Sequence, residues 1–131
     1  MRKTVFSTSV VAIALVGLVA GGTPASAEPD PPHCPKGYWC LFTDEWLGGV
    51  PWYKSQGNWS GNIYLSSRGF LTIFNNGVPA PGKDHIQVKW LHSGRFWERC
   101  LHYNPGPGEY KMQIDKYDTF VKSVTWRGEC D

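Results

Sequence analysis

The groups able to do chemistry in this chain are four cysteines (Cys34, Cys40, Cys100 and Cys130), four histidines (His33, His85, His92 and His102) and eleven carboxylates. Two stretches gather several of them: CLFTDEWLGG, Cys40 to Gly49, and CLHYNPGPGE, Cys100 to Glu109. In each, Cys-Leu is followed by six residues and then a glycine, Gly48 or Gly108. Zinc ligation asks for closely paired ligands, yet the chain has no Cys-x-x-Cys and its histidines show no paired ligand spacing. Catalysis asks for a nucleophile beside a base, or for paired carboxylates in a cleft. The acids here are scattered, and Asp44-Glu45 is expected at the tip of a surface hairpin. No Gly-x-Ser-x-Gly, His-Glu-x-x-His or phosphate-loop motif occurs. His102 reads as a half-buried strand residue. Between the two stretches the acids are lost, Asp44-Glu45 giving way to Asn104-Pro105, whereas working ligands or catalysts would persist. No catalytic residue, metal ligand or cofactor is expected, and the shared stretch reads as structural.

The cysteines then read as a disulfide framework, because an even count in a small secreted domain is used that way. Three connectivities are open. The favoured pairing is Cys34–Cys40, closing a tight loop around PKGYW, with Cys100–Cys130 tying one half of the domain to its last strand. Secretion is inferred from the N-terminus: Arg2 and Lys3, an apolar run from Val10 to Ala20, then Ala25-Ser26-Ala27. This is the pattern of a signal peptide spanning residues 1–27, with cleavage between Ala27 and Glu28. The apolar run is shorter than the ~20 residues a membrane-spanning helix needs. The leader takes two of the thirteen basic residues, leaving eleven against eleven acidic ones. A formally neutral mature chain gives no broad electrostatic footprint for nucleic acid or anionic membrane, and neither is an expected partner.

The elements that must position these groups are short. After a proline-rich lead-in expected to be mobile, residues 28–33, the chain is punctuated by glycine and proline. It alternates in runs such as YWCLF, VPWYKS, FLTIFN, HIQVKWL, FWERCLHY, EYKMQI and FVKSVTW. That pattern predicts an all-β, Greek-key sandwich in one domain, residues 34–131. HIQVKW (His85 to Trp90) lies over VKSVTW (Val121 to Trp126) when their tryptophans are aligned. Together with the Cys-Leu-Gly match, this predicts two duplicated halves, about 34–92 and 95–130. The first half would carry an insertion within Gly57 to Asp84. Trp46 is expected to pack back over a turn at Gly48, and Ser123 to tie its hydroxyl to the folded hairpin of the second copy, after Cys100-Leu101.

CPKGYWCLFTDEWLGG at the mature start and VKSVTWRGEC at the end resemble a family of secreted actinobacterial proteins. These are the βγ-crystallin-like peptidase inhibitors of the streptomycete metalloproteinase inhibitor type. The resemblance covers essentially the whole mature chain and implies a double Greek-key β-sandwich with two disulfides, monomeric and without enzymatic activity. Many βγ-crystallin motifs bind calcium, but the corresponding segment here, DTFVKS (Asp118 to Ser123), places Thr119 and Lys122 where ligands belong, and GKDHIQ fits worse. No tight calcium site is expected.

The expected partner is an extracellular peptidase, met by a rigid exposed loop that loses little entropy on docking. The candidate inhibitory loop lies in NNGVPAPGK, at Asn76, Gly77, Val78, Pro79, Ala80 and Pro81, with Val78 for a specificity pocket. A second candidate, suggested by the family, is Cys100-Leu101. The alternative function is a carbohydrate- or cell-wall-binding, or toxin-like, βγ-crystallin module that stacks sugars on Trp46, Trp52, Trp59 and Trp97.

Overall fold

A computed structural model describes residues 28–65 and 68–131. The signal peptide and its cleavage point at Ala27 lie outside the described residues. Eight strands follow in chain order: β1 Tyr38–Phe42, β2 Tyr53–Ser55, β3 Trp59–Tyr64, β4 Phe70–Asn76, β5 His85–His92, β6 Arg95–Leu101, β7 Lys111–Asp115 and β8 Thr119–Arg127. They form two antiparallel four-stranded sheets, β2-β1-β4-β7 and β3-β8-β5-β6, and the described residues contain no helix. Each sheet takes three strands from one run of four and borrows its last strand from the other run. Strand β7 completes the first sheet and β3 the second, so neither run has a complete sheet alone.

That order revises the predicted repeat. The units exchanged between the sheets are β1–β4 and β5–β8, so their joint is the β4–β5 loop rather than the neighbourhood of residues 92–95. Cys40-Leu41 sits on β1, but Cys100-Leu101 sits at the end of β6. HIQVKW and VKSVTW are strands β5 and β8, neighbours in one sheet, with Val88 directly opposite Val124. They look alike because both feed the same core face with an alternating pattern. The supposed insertion holds two regular strands, β3 and β4. Strand β3 escapes the sequence pattern because Ser60-Gly61-Asn62 breaks the alternation, and a register shift falls there against β8. On the bulged side, Lys122 hydrogen-bonds the Asn62 side chain.

The inner faces make one core: Trp39 and Leu41 from β1, Leu71 and Ile73 from β4, and Ile86, Val88, Leu101, Val121 and Val124 from the opposing sheet. Pleating sends every second residue there, and burying such a side chain contributes about 1.5–3 kcal/mol. The outer face of the first sheet carries a second, smaller core of Cys34, Cys40, Phe42 and Phe74, roofed by Tyr38, Leu47 and Tyr110. The disulfides are the favoured pair, Cys34–Cys40 and Cys100–Cys130.

The lead-in, expected to be mobile, is tied down. The Glu28 carboxylate accepts hydrogen bonds from Lys111 Nζ at 2.6 Å and Tyr110 Oη at 3.1 Å. The Glu28 carbonyl accepts one from Asn104 Nδ2 at 3.0 Å, and Asp30 pairs with Lys36 at 2.8 Å. Trp46 does fold back over Gly48. A Cβ there would stand 2.7 Å from its indole, so glycine is required for close approach and not for a left-handed backbone. The hydroxyl that ties this hairpin down belongs to Thr72, which donates to the Asp44 carbonyl at 2.8 Å. Ser123, expected to tie down the second hairpin, lies on β8 opposite Ser60 and Lys89.

Candidate functional site

The β4–β5 loop is short, exposed at its tip and pinned at its base. Asn75, fully buried at the end of β4, uses its side chain as a clamp. Its Nδ2 donates to the Asp84 carbonyl at 2.9 Å and to the Leu101 carbonyl at 3.3 Å, while its Oδ1 accepts from Gly77 N at 2.9 Å. Asp84 closes the other side, with Oδ2 accepting from Ala80 N at 3.0 Å. Within the loop, Lys83 N donates to the Ala80 carbonyl at 2.9 Å, and Gly82 has φ +87, a left-handed value suited to glycine. Gly77 is closely packed: a Cβ would lie 3.1 Å from both the Asp84 carbonyl and the Trp126 ring, close enough that these neighbours would have to give way.

This geometry trims the predicted loop. Asn76 and Gly77 are buried, and Asn76 belongs to β4, donating to the Cys34 carbonyl at 2.7 Å. Val78 and Pro79 are exposed, as are Pro81 to Lys83, with Ala80 half-buried between them. Val78 is 48% exposed, a large apolar side chain held in solvent. Beside it runs an open groove of ≈ 590 Å³ bordered by Val78, Ala80, Lys83, Trp126, Gln56 and Gly37.

Beneath the loop runs a chain of titratable groups that the sequence reading did not assemble. His85 is 1% exposed, its Nδ1 stands 2.6 Å from Asp84 Oδ1, and its Nε2 stands 2.8 Å from His102 Nδ1. The Glu129 carboxylate lies 3.4 Å from the same Nε2. Burial alone would raise the Asp84 carboxyl. The hydrogen bonds from Ala80 N–H and the His85 ring outweigh it and hold the carboxyl below the ordinary carboxylate value. Ionised Asp84 only accepts, so His85 Nδ1 carries the proton and Nε2 is turned towards His102. One signal was available. Strands β5 and β6 are joined at Ser93-Gly94, two left-handed residues of a tight turn. Counting outward from it, the eighth residue on each side is a histidine, and the observed register puts Ile86 opposite Leu101, one step short of that pair.

The second candidate loop, Cys100-Leu101, is not a loop. Both residues lie on β6, and Leu101 is fully buried in the core. A strand whose side chain the core needs cannot be offered to a cleft. The four tryptophans do not make one platform. Trp59 on β3 packs against the core with its ring tilted against Tyr53, Trp46 and Trp52 lie in the β1–β2 connection, and Trp97 is on the edge strand β6. Asp44 caps its own turn by accepting from Trp46 N at 2.9 Å.

A different apolar row crosses the outer face of the second sheet. Phe96 stands opposite Leu91, Leu91 opposite Phe120, and Phe120 opposite Tyr64. Phe120 and Tyr64 stack with centroids 4.5 Å apart. The two disulfides are consistent with an extracellular location. Among the described residues no helix is long and apolar enough to cross a membrane. No family model matches the chain, and no curated protein or solved structure does so either.

Proposed function

We propose that the chain is a secreted, non-enzymatic inhibitor that presents the β4–β5 loop to an extracellular endopeptidase. The observation that carries this is the two-ended clamp, with Asn75 and Asp84 fixing the base while Val78 and Pro79 stand in solvent. A loop already in one shape loses little conformational freedom on docking, so more of the contact energy appears as affinity. Pro79 and Pro81 restrict the backbone further. Val78 supplies an apolar side chain for a specificity pocket. Against a zinc peptidase, a loop carbonyl would occupy the metal's open position. The scaffold in this reading is a double Greek key of the βγ-crystallin kind. Supporting it, each sheet borrows one strand from the other four-strand unit.

The test is a panel of thermolysin-type and subtilisin-type peptidases titrated with oxidised mature protein. Stoichiometric inhibition is expected from one of them, abolished when Val78-Pro79-Ala80-Pro81 is replaced by Gly-Ser-Gly-Ser and the melting temperature stays unchanged. A flat panel overturns the reading. The aromatic row on the second sheet favours one alternative, a module that binds carbohydrate or cell wall. A flat panel with NMR signals of Tyr64, Phe96 and Phe120 shifting on chitin or peptidoglycan fragments would establish it.

A further inference from the structure

Two arms of the chain of groups under the loop meet at His85 Nε2, with His102 on one side and Glu129 on the other. His85 Nε2 and His102 Nδ1 face each other at 2.8 Å, and a Glu129 carboxylate oxygen lies 3.4 Å from the first. We propose that His85 Nε2, His102 Nδ1 and the Glu129 carboxylate form a binding site for a divalent cation of the zinc class.

Four observations support it. First, donor chemistry: two imidazole nitrogens with one carboxylate suit zinc, which binds such groups at about 2.0–2.2 Å and leaves a fourth position to water. Second, the outer partner is in place. Asp84 holds His85 Nδ1–H at 2.6 Å, the carboxylate–histidine arrangement that fixes the tautomer and aims the free lone pair at a metal.

Third, the ligands are held from outside the site. His85 and His102 lie next to each other across the β5–β6 hairpin, and the His102 ring rests on Gly108, where a Cβ would come within 2.1 Å of it. The tail bearing Glu129 is anchored twice. The Cys100–Cys130 disulfide fixes the next residue, and Arg127 Nη2 donates to the Glu129 carbonyl at 2.9 Å, which leaves the carboxylate free. Fourth, the movement required is open to two of the three groups. Two nitrogens on one tetrahedral zinc stand ~3.3 Å apart, so the facing rings separate by about half an ångström and turn until both lone pairs meet at one point beside the N···N line. His102 is half-buried and has that freedom, while Glu129, 80% exposed in its side chain, swings in from solvent.

The proton count is simple. In the neutral pair the proton between the rings belongs to His102 Nδ1, because His85 Nε2 is the acceptor. Metal binding moves it to His102 Nε2, with no net release. Cys130 Sγ also lies near the two rings, but it is committed to the disulfide and offers no thiolate. The site is separate from the inhibitory reading. It would brace the loop through Asp84, whose other oxygen holds Ala80 N.

The test uses the mature protein with both disulfides intact, stripped of metal at neutral pH. It is titrated with zinc chloride by calorimetry and with cobalt(II) chloride by visible absorption. One equivalent is expected to bind, with imidazole signals of His85 and His102 shifting together in the NMR spectrum. His102→Ala should weaken binding by about tenfold or more, and Asp84→Asn by roughly tenfold through the outer partner. Glu129→Gln, at an exposed position, should weaken binding without disturbing the fold. His33→Ala and His92→Ala should leave it unchanged. Absence of one-to-one binding at micromolar zinc overturns the proposal, as do equal affinities for wild type and His102→Ala. If His102→Ala does not fold, the Glu129→Gln titration and the wild-type NMR shifts decide. Shifts confined to His33 or His92 count against the site.

Discussion

The outer faces of the two sheets are built to opposite ends. That of β2-β1-β4-β7 is roofed: Phe42 and Phe74 lie under the Cys34–Cys40 loop, Leu47 and Tyr110, and the Glu28 segment latches onto Tyr110 and Lys111. That of β3-β8-β5-β6 is bare. Its aromatic row ends in Phe96, 74% exposed, on an edge strand where residues 95–99 are all exposed. A small domain gains proportionately little from one core, so a second one on the outside of a sheet adds stability where the chain has residues to spare. The first sheet spends its disulfide inside that roof. The second spends its disulfide on the tail, beside the histidine pair and the loop.

The sharpest test of this contrast is Phe74→Ala, which empties the roofed core and should cost about 3–5 kcal/mol in urea denaturation. Close behind is removal of the outer bridge. The Cys100→Ser/Cys130→Ser pair opens a separation of 30 residues, and the chain-entropy account gives about 4 kcal/mol, against about 2 for the separation of 6 at Cys34–Cys40. A larger loss from the Cys34–Cys40 pair would show that packing in the roof outweighs chain entropy.

A smaller effect is expected at alkaline pH. Burial, then the hydrogen bond and charge of Glu28, hold the Tyr110 hydroxyl above its ordinary value of 10.0. Its contribution is therefore complete below the unfolded value and is lost as pH rises through the folded one. Tyr110→Phe should flatten that part of the alkaline decline in urea midpoint. The least change belongs to Phe96→Ala, expected within about 0.5 kcal/mol of the parent. A large loss there would mean that the bare face is covered.

The sequence is most legible where alternation is clean. YWCLF is strand β1 residue for residue, and the HIQVKW and FVKSVTW runs lie within β5 and β8. Strand β3 is hidden because a register shift near Gly61 and Asn62 suspends the two-residue period on which the reading depends. Similarity of short segments misled in a related way. Strands that line one core share a pattern whether or not they descend from one another, so Val88 and Val124 matched as neighbours and not as equivalents. Of the candidate site, the exposed tip at Val78 and Pro79 was visible in the proline and glycine content. Its anchoring was not, because the side chains of Asn75 and Asp84 act on backbone groups that no residue pattern marks. The histidine pair needed the hairpin register, which depends on recognising the Ser93-Gly94 turn first.

The exchange of β3 and β7 has a consequence for a broken chain. The β4–β5 loop is the only covalent link between the two four-strand units, since each disulfide closes within one unit. A cut at the Val78–Lys83 tip would therefore yield two polypeptides. Each piece still threads one strand into the sheet of the other, and the inner core is divided between them. Such a nicked protein is a two-chain complex whose new termini stay side by side, and separating them means dismantling both sheets at once.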